Sequence, residues 1–192
     1  INHGNIRQFL NNFQELEYIV EGANVVFDDS ARRHIAVESS IKQIKDSSAN
    51  KGGVFSSSIA EVLTAFLLGE DYEKLLLNDK AMKWGLVKDM IVLVSRYAKQ
   101  ETEMLIKLNE LNPESPLFVL SEQTSEEIFS LQDKLEENLD AIITDQKLMH
   151  LVFQDYIPPV LVEKMGLETI LQILETPELL PYRNAILTKK MA

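Results

Sequence analysis

Extended-chain signals are confined to the early part of the sequence, and they come in two short pieces with a helical piece between them. Tyr18-Ile19-Val20 is an aromatic and β-branched triplet that stops at Glu21-Gly22-Ala23-Asn24. It reads as a short buried strand closed by a turn. Asp28-Asp29-Ser30 then suits the start of a helix carrying "ARRHIAVES", with carboxylates at its positive end. Ile41 to Lys45, alternating as Ile-Lys-Gln-Ile-Lys, reads as a second strand. A polar run, "DSSANKGGVFSSS", leads into a helix expected from about Ser58 through "IAEVLTAFLL" to Gly69. Strand, helix, strand, helix predicts a parallel α/β unit.

After Gly69 no comparable strand signal follows, and the pattern is helical. Val87, Ile91, Val94, Ala98, Leu105 and Leu108 recur at helical steps, which predicts one apolar stripe on a long helix ending before Asn112-Pro113, with Gly85 a candidate kink. Thr124-Ser-Glu-Glu127 has the capping-box pattern for a further helix with Ile128, Leu131, Leu135, Leu139 and Ile142 on one face. Helices are also expected at Gln146–Tyr156, Pro159–Met165, Leu167–Leu174 and from about Pro181 to Lys189-Lys190, whose charges suit a helix C-terminus. The fold class expected is therefore α/β, predominantly helical, with residues 1–69 forming the α/β part and 70–192 a helical subdomain. No internal repeat is present.

Composition narrows the function classes. The 192 residues carry 30 acidic against 19 basic side chains, a net charge of −11, which repels phosphate backbones and argues against a nucleic-acid partner. Cysteine is absent, so a disulfide scaffold, a thiol nucleophile and thiolate metal ligation are excluded. No unbroken apolar run reaches the ~18 residues of a membrane span, and no membrane partner is expected. The chain opens on Ile1 rather than Met, as a piece of a longer protein would. His3, His34 and His150 are scattered without metal-ligand spacing, and no metal site is expected. The carboxylates Glu126, Glu127, Glu136 and Glu137 suit a solvated helix face, and Glu101 and Glu103 a surface or subunit contact.

In an open parallel sheet, ligands bind at the carboxyl ends of the strands, where both polar segments fall. Glycine at Gly52 and Gly53 lets a ligand approach the backbone, and the serines near an expected helix start offer hydroxyls and N–H groups to a carboxylate or phosphate. Asn24 and Asn50 each carry an amide that donates and accepts at once, which suits a carboxamide or a ribose hydroxyl. The same residues also suit a plain turn followed by a helix cap. There is no nucleophile, metal cluster or GxGxxG element, so the chain by itself is not a complete catalyst.

"YIVEGAN" at Tyr18–Asn24, "DSSANKGGVFSSS" at Asp46–Ser58 and "EVL" at Glu61–Leu63, in this order, closely resemble the C-terminal half of the coenzyme-binding domain of large NAD-specific glutamate dehydrogenases. "LVEKMG" and "LPYRNAILTKKMA" are similar to that type's closing helices. The resemblance implies that residues 1–69 are the C-terminal half of a Rossmann-like NAD-binding domain and 70–192 a helical C-terminal subdomain. It implies oxidative deamination of L-glutamate to 2-oxoglutarate and ammonia by hydride transfer to NAD. The catalytic lysine and aspartate and the glycine-rich fingerprint lie upstream in the family, so this chain would hold no catalytic residue.

Carried over by resemblance, Gly22, Ala23, Asn24 and Asn50 would bind NAD, and Gly53, Val54 and either Ser57 or Ser58 the substrate. Two departures bear on this. Glu61 stands seven positions after Val54 where the family has six, with Ala60 the added residue, and Phe55 replaces the family's usual threonine. The family also implies a homo-oligomer and a cytoplasmic setting, or a mitochondrial one in a eukaryote. The alternative is a non-catalytic helical interaction or regulatory module that retains the motif.

Overall fold

The computed structural model describes residues 1–192 as a mostly helical chain with one two-stranded sheet, and its contacts divide it into two compact units. Unit 1 comprises Ile1–Gly53 and Arg96–Ser125, and unit 2 comprises Val54–Ser95 and Glu126–Ala192.

In unit 1, α1 (Ile6–Asn12) precedes β1 (Tyr18–Val20), α2 (Asp29–Glu38), β2 (Lys42–Ile44) and the single turn α3 (Asp46–Ala49). β1 and β2 pair in parallel, with Tyr18 opposite Lys42, Ile19 opposite Gln43 and Val20 opposite Ile44. Parallel strands require a crossover, and α2 supplies it. Asp28 caps α2 by accepting from the Ala31 N–H at 2.7 Å. One core cluster joins Ile6, Ile19, Phe27, Ala31 and Ile35, and a second joins Ile44, Leu105, Leu117 and Leu120. The expectation of a buried β1 is corrected: only Ile19 is buried, and Tyr18 and Val20 are exposed.

The helix after β2 starts much earlier than the serines. Helical backbone extends from Asp46 to Asp71, through α3, a turn at Asn50-Lys51, α4 (Gly52–Ser56), a π-helical stretch (Ser57–Leu63) and α5 (Thr64–Leu68). Gly69 ends α5 with φ +50, a left-handed conformation that glycine adopts freely, and a 3₁₀ turn over Gly69–Asp71 follows. Ser57 and Ser58 therefore lie inside a helix with no free N–H groups to offer, because Gly-Gly-Val-Phe-Ser is itself helical here. By length and composition this 26-residue stretch would pass for a membrane span although no unbroken apolar run of that length occurs in it, because its Ile, Val, Leu, Phe and Ala outweigh the interspersed Gly, Ser and charged residues. Ile59, Leu63, Leu67 and Leu68 are nonetheless buried within the protein.

Unit 2 takes the first half of α6 (Lys80–Leu111), the second half of α7 (Leu117–Glu137), α8 (Leu139–Ile142), α9 (Gln146–Tyr156), α10 (Pro159–Met165), α11 (Leu167–Leu174) and α12 (Leu180–Met191). Asp79 caps α6 by accepting from the Ala81 and Met82 N–H groups, both at 3.0 Å. The stripe expected on α6 is rotated. Met82, Leu86, Met90 and Leu93 are buried, whereas Val87, Ile91 and Ala98 are exposed; Leu105, expected on the stripe, is buried as expected. Gly85 does not break α6; a Cβ there would meet Val160 Cγ2 at 2.8 Å, so this glycine admits the close packing of α10. Nor does Thr124 start a helix. α7 begins at Leu117, directly after Pro116, and the capping-box residues sit in its interior.

Candidate functional site

The polar segments at the carboxyl ends of β1 and β2 are tied together by side chains of unit 1. Glu21, fully buried, accepts from Arg32 Nε at 2.9 Å, Arg32 Nη2 at 2.7 Å and Gln43 Nε2 at 3.0 Å. Arg32 Nη1 also donates to Asp29 at 2.8 Å, and Arg32 Nη2 reaches Asp46 Oδ1 at 3.4 Å. A buried guanidinium is tolerable only with this density of partners. Hydrogen bonding to Glu21 outweighs burial and holds the Arg32 guanidinium firmly protonated.

Asp46 completes the link. Its Oδ2 accepts from the Val25 N–H at 2.7 Å and its Oδ1 from the Ser47 N–H at 2.8 Å. Burial works against the Asp46 carboxylate, but these backbone donors and the nearby Arg32 and Lys45 charges hold it below the usual carboxylate range. Above this base, Asn50 Nδ2 donates to Asn24 Oδ1, so the two amides selected from the sequence meet. Lys51 pairs with Glu101 at 2.7 Å, giving that carboxylate a partner within the unit.

Gly22, Ala23 and Asn24 are exposed, and Asn50 is partly buried. A Cβ on Gly22 or Gly53 would meet no atom within 4 Å, and neither glycine has a positive φ. The protein's own backbone does not demand glycine at either place, so what their small size leaves is open space beside the motif. A cleft of about 200 Å³ elsewhere in unit 1, between α2, β2 and the Pro113–Phe118 segment, touches Arg32 and Gln43 but neither Asn24 nor Asn50.

In unit 2, Val54 is largely exposed on the helix that carries the serines. Ser57 Oγ donates to Glu61 Oε2 at 2.9 Å, and Ser58 Oγ donates back to the Phe55 carbonyl at 2.9 Å. Ser58 is thereby absorbed into the helix, whereas Ser57 already hydrogen-bonds a carboxylate. Tyr182 donates its hydroxyl to the Ser58 carbonyl at 3.2 Å and packs edge-on against Phe66; burial pushes its phenol well above the usual range. The π-helical stretch spans the place where Ala60 was read as an added residue. Sequence reasoning missed Arg32, Gln43 and Asp46 as site residues. The available signal was the charge of Glu21 at the end of an apolar strand, which demands a buried partner.

The model of the glutamate/leucine/phenylalanine/valine dehydrogenase family matches residues 1–108. Glutamate dehydrogenase 2 of Dictyostelium discoideum is 34% identical over 91% of this chain, and the NAD-specific glutamate dehydrogenase of Saccharomyces cerevisiae is 32% identical over 82%. The probable NAD-specific glutamate dehydrogenase of Schizosaccharomyces pombe is 30% identical over the whole chain. These alignments cover 16%, 15% and 17% of the relatives' own lengths, so the chain spans about a sixth of the proteins it matches. No solved structure matches. Matched by that family's model over more than half of its length, with the EGAN turn and the Asn-Lys-Gly-Gly segment hydrogen-bonded through Asn24 and Asn50, the chain belongs to the glutamate/leucine/phenylalanine/valine dehydrogenase family.

Proposed function

We propose that this chain is the C-terminal portion of an NAD-dependent glutamate dehydrogenase, with residues 1–69 supplying the far half of a Rossmann-like coenzyme domain and 70–192 a helical subdomain. The observation that carries the reading is the hydrogen bond between Asn24 and Asn50 at the carboxyl ends of adjacent parallel strands. That is where open parallel sheets bind nucleotides. The open space beside Gly22 and Gly53 and the exposed Asn24 amide fit a nucleotide lying against this edge.

NAD, when bound, would accept the hydride from the α-carbon of glutamate; hydrolysis of the resulting imine gives 2-oxoglutarate and ammonia. Gly22 and Ala23 would leave room for the ribose, and Asn24 and Asn50 would hydrogen-bond it and the carboxamide. On the substrate side, Val54 would pack on the methylenes beside Gly53, and Ser57 would donate to the side-chain carboxylate. Both hydroxyls donate within the chain, Ser57 to the Glu61 carboxylate and Ser58 to the Phe55 carbonyl, and Ser57 is preferred because its acceptor is a side chain that can turn away whereas that of Ser58 is helix backbone. No residue of this chain takes a catalytic role in this reading, and the active protein would be a homo-oligomer of a longer polypeptide.

A second reading, a non-catalytic helical module that retains the motif, draws on the engagement of Ser57 by Glu61. The test is to express the longer protein containing this chain and follow NADH formation with L-glutamate. Glutamate-dependent NADH formation, abolished by Asn24→Ala with the fold retained, is expected. Absence of turnover with glutamate, in a folded protein that other amino acids also leave silent, would favour the second reading.

A further inference from the structure

We propose that Asp46 is a positioning residue for the nicotinamide-side amides: it holds the Gly22–Val25 turn in the backbone conformation that sets Asn24 against Asn50. The proposal rests on the reading that those amides bind NAD.

Val25 carries the argument. It has φ +54, the one non-glycine residue of the chain at positive φ, and it is β-branched, the side-chain type least suited to that region. Its side chain is 76% exposed, so packing does not hold it there. A strained residue persists only where its surroundings over-determine it. Here the Val25 N–H donates to Asp46 Oδ2 at 2.7 Å, a charge-assisted bond.

Asp46 is itself fixed from two further directions, by the Ser47 N–H at 2.8 Å and by Arg32 Nη2 at 3.4 Å. Arg32 is clamped by Glu21, the residue that opens the turn, and Glu21 Oε2 also accepts from the Phe27 N–H at 3.4 Å beyond it. The turn is thus closed into a ring: Glu21 to Arg32, Arg32 to Asp46, Asp46 to Val25, and the backbone from Val25 to Glu21. Asn24 lies inside that ring, one residue before the strained one. Without the Asp46 acceptor, Val25 would relax toward negative φ and carry the Asn24 amide away from Asn50. Asp46 points its carboxylate at backbone rather than at the open edge, so it acts through Asn24.

The experiment uses the longer protein containing this chain, with Asp46→Ala, Val25→Gly and the double variant. Losing a hydrogen bond to a charged acceptor predicts a KM for NAD raised about tenfold in Asp46→Ala, with kcat changed less than about twofold. Val25→Gly removes the strain that Asp46 counters, so the double variant is expected to recover most of that KM. A merely stabilising role would give no such recovery. A KM for NAD unchanged in Asp46→Ala, or raised equally in the double variant, would overturn the proposal. Asp46→Asn, which keeps one acceptor and the shape, serves if Asp46→Ala fails to fold.

A second measurement does not depend on catalysis. Amide exchange in the 192-residue chain is expected to show Val25 protected in the parent sequence and unprotected in Asp46→Ala, which removes the acceptor, and unchanged protection would equally overturn the proposal. A wild-type protein without glutamate-dependent NADH formation would remove the NAD reading, and the Val25 exchange would still decide whether Asp46 holds the turn.

Discussion

The residues that matter most to unit 1 are those whose burial leaves them no alternative partner. Glu21 and Arg32 are both almost inaccessible to solvent, and removing one member of such a pair strands the other charge. Arg32→Met should therefore cost about 3–5 kcal/mol in urea unfolding, whereas Glu21→Gln with Arg32→Met should recover a large part of that loss. Asp28 and Asp46 titrate with a definite sign. Both carboxyls are held below their ordinary 3.8, Asp28 by the Ser30 hydroxyl and the Ala31 N–H, Asp46 by backbone N–H groups that overcome its burial. Protons then bind the unfolded chain more readily. The stability they contribute is complete above 3.8 and is lost as the pH falls through and below it. Urea midpoints should be flat on the neutral side and drop on the acid side, with a shallower drop in Asp46→Asn. That Asn24 and Asn50 fall at equivalent strand ends was legible in the sequence, each two residues from a glycine; that their amides meet was not. Arg32 was not, because in "ARRHIAVES" two arginines stand side by side and only Glu21, eleven residues earlier, decides which turns inward.

At the scale of elements, the π-helical stretch Ser57–Leu63 is the clearest departure from a regular chain. An added residue in an α-helix rotates everything beyond it by about 100°, which would expel half of an apolar face. A π-turn confines the extra residue to one widened loop and keeps the flanking faces in register. Thr64 supports it by donating its hydroxyl to the Ile59 carbonyl at 2.9 Å. Deleting Ala60 should thus leave Ile59, Leu63 and Leu67 in the core and the melting temperature within about 4–8 °C, a shift worth roughly 1 kcal/mol in a small domain. A collapse of the thermal transition would show instead that Ala60 belongs to the helical register. The contact of α6 with α10 offers a second test, since Gly85→Ala gains about 1 kcal/mol of helix propensity but overpacks against Val160 at a cost of about 1–3 kcal/mol. Gly85→Ala alone should destabilise, and Val160→Ala combined with it should not add a further full penalty. Helices bounded by proline and glycine, α9 to α11, were readable to the residue. The face of α6 was not, because Val87, Ile91 and Val92 make its exposed side as apolar as the side built from Met82, Leu86 and Met90, and periodicity cannot choose between them.

For the molecule as a whole, the sheet is the element whose physics is incomplete. Parallel strands occur almost only in sheets covered on both faces, and two strands are too few to stand alone in water. Here β1 exposes Tyr18 and Val20, at 48% and 61%, on either side of buried Ile19, and β1 pairs along one edge only. The chain accounts for about a sixth of the relatives' length, and a parallel sheet widened by further strands would satisfy the open edge, while the crossover helices of those strands would bury both side chains. Amide exchange can read this directly. In the 192-residue chain the N–H groups of residues 18–20 and 42–44 should exchange through local opening, well before the unit-2 helices built on Phe153, Leu161 and Leu174. In the longer protein the same strand amides should become as slow as those helices, because opening an interior strand requires unfolding the whole sheet. Equal exchange of residues 18–20 in the two proteins would mean that nothing covers β1, and that the strand pair is a complete element rather than part of a coenzyme domain.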